Sequence, residues 1–170
     1  VSKVLKNEAF FFGEYEHALD SQNRIAIPSE WRTGEPLRLI LLPGRDKDLL
    51  LFPFETFREF LLRARRLSLA NREAQLALAK IGARARDCRC DKQGRIKLDR
   101  AMLDSIGVKT QLKLIGALTH IKLCAPEVWA AGVPLGDEDC LNEFDKINRT
   151  LPDLASVLAE TLEDRKNDRR

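Results

Sequence analysis

Two short strings in the chain share one chemical pattern. In "LDSQNRIAIP" (Leu19 to Pro28) and "CDKQGRIKLD" (Cys90 to Asp99) an aspartate stands four residues before an arginine, and alternating apolar residues follow. Asp20 falls on Asp91, Gln22 on Gln93, Arg24 on Arg95, Ile25 on Ile96 and Ile27 on Leu98. A carboxylate that opens a tight turn can accept hydrogen bonds from the turn's own backbone N–H groups, and it lies within reach of an arginine that closes the turn. Asp20 and Asp91 are therefore read as braces that hold Arg24 and Arg95 in place. The residue before each arginine is Asn23 or Gly94. These are the types most tolerant of positive φ, which agrees with a tight turn.

Strand alternation then decides where the held guanidinium groups point. If Ile25 and Ile27 face a core, period two sends Arg24 and Ala26 to the opposite face, and Arg95 and Lys97 likewise oppose Ile96 and Leu98. A braced planar fork, with the amides of Gln22, Asn23 and Gln93 and the ammonium of Lys92 beside it, suits phosphate oxygens and base edges alike. A turn-stabilising ion pair with no ligand accounts for the same residues, and spacing alone leaves both readings open.

The elements that must position these turns come in two copies. "LLLFPFETF" (Leu49 to Phe57) aligns with "IKLCAPEVW" (Ile121 to Trp129), so the repeat extends beyond the turns. Each copy reads strand, tight turn, strand, short helix, strand, turn, strand. The first has strands at Glu14 to Leu19, Arg24 to Pro28, Leu37 to Leu42 and Leu49 to Phe54, with a short segment around Trp31. The second runs from Ala83 to Cys124, with Asp99 as a helix N-cap, Gly107 as the helix stop, and strands near Gln111 to Gly116 and His120 to Leu123. A lone ββαββ block exposes apolar edges, so each half is expected to complete the other's sheet.

Between the copies Phe57, Phe60, Leu61 and Ala64, then Ala74, Ala77, Leu78 and Ile81, recur at helical spacing and are read as core-facing stripes. Two further helices are expected after Pro134, the second opened by a capping pattern at Thr150 and Asp153, before a frayed end. The organisation is thus a first repeat over 12–57, connecting helices over 58–82, a second repeat over 83–131 and a helical, partly disordered tail over 132–170.

Composition bounds the function classes. The 170 residues are 44% hydrophobic and 32% charged, which provides for a real core and excludes a wholly disordered chain. The net charge of +3 says little, but its distribution says more. Basic residues outnumber acids between Arg58 and Arg100, whereas the stretch from Asp137 onward is acid-rich, a pattern that suits a polyanion near the middle of the chain or solvated faces with no ligand. Lys3, Lys6 and Glu8 interrupt the first residues, and no apolar run approaches the roughly 20 residues that span a bilayer. Cys88, Cys90, Cys124 and Cys140 are too few and too irregular for a disulfide scaffold. An intracellular protein without a membrane partner is expected.

Enzymatic and metal readings find little support. His17 and His120 are the only histidines, and no nucleophile elbow, zinc-helix motif or phosphate-cradling glycine loop is present. Cys88 and Cys90 share a strand face, but their spacing is not that of common zinc sites. Catalytic residues, metal and cofactor are all expected to be absent.

"GEYEHALDSQNRIAIPSEWR" followed by a second "DKQGRIKL" block resembles the MraZ family of bacterial transcription regulators over about Phe12 to Trp129. The resemblance implies a mainly β fold of α+β character, in which two tandem AbrB-like swapped-hairpin units form a double-split β-barrel joined by helices. It also implies a non-enzymatic protein of the cytoplasm and nucleoid that assembles into a homo-oligomeric ring. Such a ring binds short repeated double-stranded DNA sites in the promoter of its own division and cell-wall gene cluster, which it represses. Carried over by position, the D-x-x-x-R residues are Asp20 and Arg24, then Asp91 and Arg95; the family's usual turn glycine is Asn23 in the first copy. The competing expectation is a protein-interaction module of the same fold, with turns that are structural only.

Overall fold

The computed structural model describes residues 9–32, 36–132 and 135–150. Strands β1 (Glu14–Ala18) and β2 (Arg24–Ala26) flank the first D-x-x-x-R turn, and a 3-10 turn (Ser29–Trp31) leads toward the hairpin of β3 (Arg38–Pro43) and β4 (Asp48–Pro53). Helices α1 (Phe54–Ala64) and α2 (Arg72–Arg84) then connect to the second copy. That copy comprises β5 (Arg86–Arg89), β6 (Arg95–Lys97), α3 (Arg100–Ser105), β7 (Gln111–Gly116) and β8 (Ile121–Cys124), followed by α4 (Pro126–Ala131) and α5 (Asp137–Thr150). The chain divides into two compact units, Val1–Ala131 and Gly132–Arg170; of the second, α5 is the element described. The further tail helix expected from Thr150 and Asp153 lies outside the described residues, as does the frayed end.

The two copies are interleaved. One six-stranded antiparallel sheet runs β1-β7-β8-β4-β3-β5, and β2 pairs with β6 in a separate two-stranded ribbon. The strands flanking each turn do not pair with one another: β1 goes to β7, β5 goes to β3, and β2 and β6 meet each other. Among the described residues only the β3–β4 and β7–β8 hairpins pair within a copy. The registers are reciprocal, with Ile25 opposite Ile96 in the ribbon, and Leu49 opposite Leu123 and Leu51 opposite Ile121 where β4 meets β8. This topology is consistent with tandem swapped-hairpin units, because strands of each copy pair with strands of the other.

Alternation along these strands builds the core from both copies at once. Ile25, Ile27, Leu39, Leu41, Leu49 and Leu51 from the first are buried against Ile96, Leu98, Leu112, Leu114, Ile121 and Leu123 from the second. Trp31 plugs one end, edge-on to Phe11 at 5.7 Å and to Tyr15 at 5.1 Å, while its Nε1–H donates to the Phe12 carbonyl at 2.9 Å. The short helices differ for a local reason. The Asp99 carboxylate caps α3 by accepting from the Ala101 N–H at 2.9 Å, and Gly107 ends that segment at φ +73°. In the first copy the capping position is Pro28, which brings no side-chain acceptor, and only a 3-10 turn forms.

Two expectations are corrected here. Helix α1 opens at Phe54, where the sequence reading continued a strand, because Pro53 at φ −52° ends β4 and sits before the helix. The apolar stripes of α1 and α2 do not face the core, and neither helix has a buried residue. Phe60 is 41% exposed and Ile81 38% exposed. The reason is that strands of the two copies already fill one another's core, so these helices lie outside it. Among the described residues no helix is long and apolar enough to cross a membrane.

Ile25 lies at the centre of the ribbon and is 0% exposed. Ile25→Ala should cost about 2–5 kcal/mol of unfolding free energy, read as a lower denaturation midpoint in urea; a loss below about 0.5 kcal/mol would mean the ribbon is not part of the cooperative core.

Candidate functional site

The two D-x-x-x-R turns have the same internal geometry. Asp20 Oδ1 accepts from the backbone N–H groups of Gln22 and Arg24, both at 2.9 Å, and Oδ2 accepts from Arg24 Nε at 2.7 Å. Asp91 Oδ1 accepts from Gln93 and Arg95 N–H, again at 2.9 Å, and Oδ2 from Arg95 Nε at 3.0 Å. Each carboxylate thus spends one oxygen on the backbone of its turn and the other on its arginine. The apex residues have the left-handed backbone that the turn requires, Asn23 at φ 57° and Gly94 at φ 74°.

The turns are also tied to each other. Leu98 N–H donates to the Asn23 carbonyl and Ile27 N–H to the Gly94 carbonyl, each at 2.9 Å, so each apex anchors the other copy's strand. Arg95 Nη1 lies 3.8 Å from Asp20 Oδ2, which places the two turns side by side in one patch. The ribbon between them pairs Arg24 with Lys97 and Ala26 with Arg95, on the face opposite the buried Ile25 and Ile96. Both arginine side chains are 29% exposed: held against the surface, not interior. Only the Nε of Arg24 is committed, and its Nη nitrogens have no hydrogen-bond partner among the described residues. Gln22, Lys92 and Gln93 are exposed with side chains unbonded among the described residues.

Three basic residues absent from the sequence-based site join the patch. Lys97 is exposed and directly opposite Arg24 in the ribbon, so it adds a further positive charge to that face. The guanidinium of Arg32 lies over Gly94, where any Cβ would collide with it, and its Nε donates to the Ile27 carbonyl at 3.0 Å. Arg100 reaches from α3 to within 3.5 Å of the Asn23 side-chain oxygen while it is held by Asp104. Alternation already put Lys97 beside Arg95 on one face, but the facing of Lys97 and Arg24 depends on pairing between copies. Arg32 and Arg100 occupy non-equivalent places in the repeat, so no self-alignment reveals them.

Electrostatics follow from this bracing. The Arg24 N–H, then the Arg24 side chain and the Gln22 N–H, hold the Asp20 carboxyl down at about 2. The corresponding Arg95 and Gln93 bonds lower Asp91 as well. Both carboxylates therefore stay ionised at any physiological pH. The other candidate groups do different work. Burial raises the Cys88 thiol to about 11 and raises Cys90, so neither is a ready thiolate. His120 stacks on Phe52 at 5.0 Å, and burial lowers its pKa. His17 stacks on Tyr15, and its Nε2 is buried without a partner among the described residues. No group of three or more His, Cys, Asp or Glu among the described residues could hold a metal ion.

Comparison with known proteins identifies relatives of the chain. Residues 10–80 match a family described as "MraZ protein, putative antitoxin-like". The chain is 34% identical over 119 residues to the transcriptional regulator MraZ of Herpetosiphon aurantiacus, which spans 70% of this chain and 83% of that protein. It is 32% identical over 119 residues to the transcriptional regulator MraZ of Clostridium tetani, covering 70% and 84% of the two chains. With the transcriptional regulator MraZ of Alkaliphilus metalliredigens it shares 26% identity over 144 residues, covering 85% and 98%.

The lowered Asp20 pKa has a signed consequence. A carboxylate held below its ordinary 3.8 stabilises the fold fully above that value, and the stabilisation is lost as pH falls toward about 2. Carbon-detected carboxyl titration should place the Asp20 midpoint near 2, and Asp20→Asn should remove the Asp20 share of the acid destabilisation between about pH 4 and pH 2, leaving that of Asp91 and the other lowered carboxylates. An Asp20 midpoint near 4 would show that the brace is not formed.

Proposed function

The chain belongs to the MraZ family, and from that premise we propose that it is a sequence-specific regulator of transcription that binds double-stranded DNA through the paired turns and the β2–β6 ribbon. Arg24 and Arg95 make the principal contacts, Gln22, Asn23, Lys92 and Gln93 flank them, and Asp20 and Asp91 hold the turns. The observation that carries the reading is the outward ribbon face, where Arg24 and Lys97 oppose one another with Arg95 in the neighbouring pair. A major groove admits a two-stranded ribbon, and a guanidinium presented there can engage guanine O6 and N7 or the flanking phosphates. The Nη nitrogens of Arg24 are available for such a contact while its Nε remains on Asp20.

Several copies acting together complete the proposal. One bidentate arginine discriminates bases by about 1–3 kcal/mol, too little for a genomic site. Copies joined in a ring and reaching adjacent repeats in a promoter multiply weak contacts through effective concentration. The two sheets then close as a double-split β-barrel whose ribbon ends project toward the DNA. Repression of the protein's own division and cell-wall operon, in the cytoplasm at the nucleoid, is the role that this assembly fits. In the competing reading, a protein-interaction module, the same turns only stabilise the fold.

Fluorescence anisotropy with a duplex carrying tandem copies of a candidate promoter repeat separates the two. Arg24→Ala should weaken binding by about 10-fold or more per contact made, with assembly mass unchanged and the unfolding midpoint only slightly lowered, since the two backbone bonds to Asp20 remain. Lys97→Ala should reduce the salt dependence, lowering the slope of log K against log salt by about 1. Salt-insensitive binding, or an Arg24→Ala protein that unfolds while its folded fraction binds normally, would leave the turns as scaffolding.

A further inference from the structure

The apolar faces of α1 and α2 are a feature that the proposed function does not use. Together with the edge of the β3–β4 hairpin they line two adjoining hollows of about 480 Å³ and 560 Å³. Phe57, Phe60 and Ile81 are common to both, and the Phe57 and Phe60 rings lie 5.5 Å apart. The rim is basic, with Lys80 and Arg84 on one side and Arg65 on the other. Over residues 54–85 there are seven basic residues against three acidic ones.

Helix α5 has the complementary character. Leu141 and Phe144 are 66% and 58% exposed and lie three residues apart, one turn along the same face. Its 14 residues include five acids (Asp137, Glu138, Asp139, Glu143 and Asp145) and two bases (Lys146 and Arg149), so acids border the apolar face. An amphipathic acidic helix is the type of ligand that an apolar groove with a basic rim accepts: apolar anchors go into the groove and charges meet at the edges.

We propose that α5 of one copy docks in the α1–α2 groove of a neighbouring copy. This deepens the oligomeric reading given above and rests on it. Leu141 and Phe144 enter the hollow beside Phe57, Phe60 and Ile81, and the α5 acids face Lys80, Arg84 and Arg65. The contact is heterologous, since each copy gives a helix and receives one; a contact of this type closes into a ring when its rotation allows.

Cys140, exposed and beside Leu141, provides the test. Two differently tagged full-length chains are co-expressed, one carrying Lys80→Cys and Cys140→Ser, the other keeping native Cys140 and Lys80. They are treated with a short bismaleimide, read by peptide mass spectrometry, and the assembly mass is measured by light scattering. The proposal expects a link between positions 80 and 140 across the two tags. It also expects Phe144→Asp to abolish that link and lower the assembly mass at least twofold, with the unfolding midpoint retained. A control chain carrying Lys80→Cys with native Cys140 is treated in parallel; a link formed within that chain but not across the two tags would place α5 on its own groove and overturn the proposal. Absence of the link with wild-type assembly mass intact would overturn it too, leaving the oligomeric reading standing through another interface. A wild-type mass of a single chain would overturn both.

Discussion

A carboxylate that divides its two oxygens between a turn's backbone and an arginine is the interaction on which the rest of this structure depends. At Asp20 and again at Asp91, one oxygen takes two backbone N–H groups and the other takes the arginine Nε. The turn is closed by the same residue that holds the guanidinium, so the arginine loses little further freedom when it meets a ligand. Bonds to the ionised form lower both carboxyl pKa values, and the brace does not switch off near neutral pH.

From that brace the interleaving of the copies follows. With each apex in a left-handed conformation, its carbonyl is turned toward the other copy, where Leu98 or Ile27 donates to it. The ribbon so formed places Ile25 on Ile96 beneath and basic residues above. Core and candidate binding face are therefore two sides of one pair of strands. A ligand bound to the outer face, as proposed, would be supported by side chains that are 0% exposed on the inner one. This arrangement also makes the copies interdependent, because most strand pairings cross between them.

Much of this was legible in the residues. The D-x-x-x-R spacing, with Asn23 or Gly94 before the arginine, specifies the turn, because only a short acidic side chain and a residue tolerant of positive φ satisfy it together. Alternation at Ile25, Ile27, Ile96 and Leu98 marks the buried face, and Asp99 marks the start of α3. What could not be read are facts of pairing. No local pattern says that β2 meets β6 instead of β1, so neither the facing of Arg24 and Lys97 nor the closeness of the two turns could be seen. The helical stripes misled for a related reason. Periodicity shows that Phe60 and Ile81 share faces of their helices, but not whether the chain's own core or another surface covers those faces.

The account thus rests on two arginines acting as a single contact surface in a family of transcriptional regulators. Phenylglyoxal footprinting of the full chain, with and without duplex DNA and read arginine by arginine by mass spectrometry, tests it most directly. The account predicts that DNA protects Arg24 and Arg95 while Arg58 and Arg63 on α1 keep their reactivity. Protection confined to the α1 and α2 arginines, with Arg24 and Arg95 as reactive as in the free protein, would contradict it.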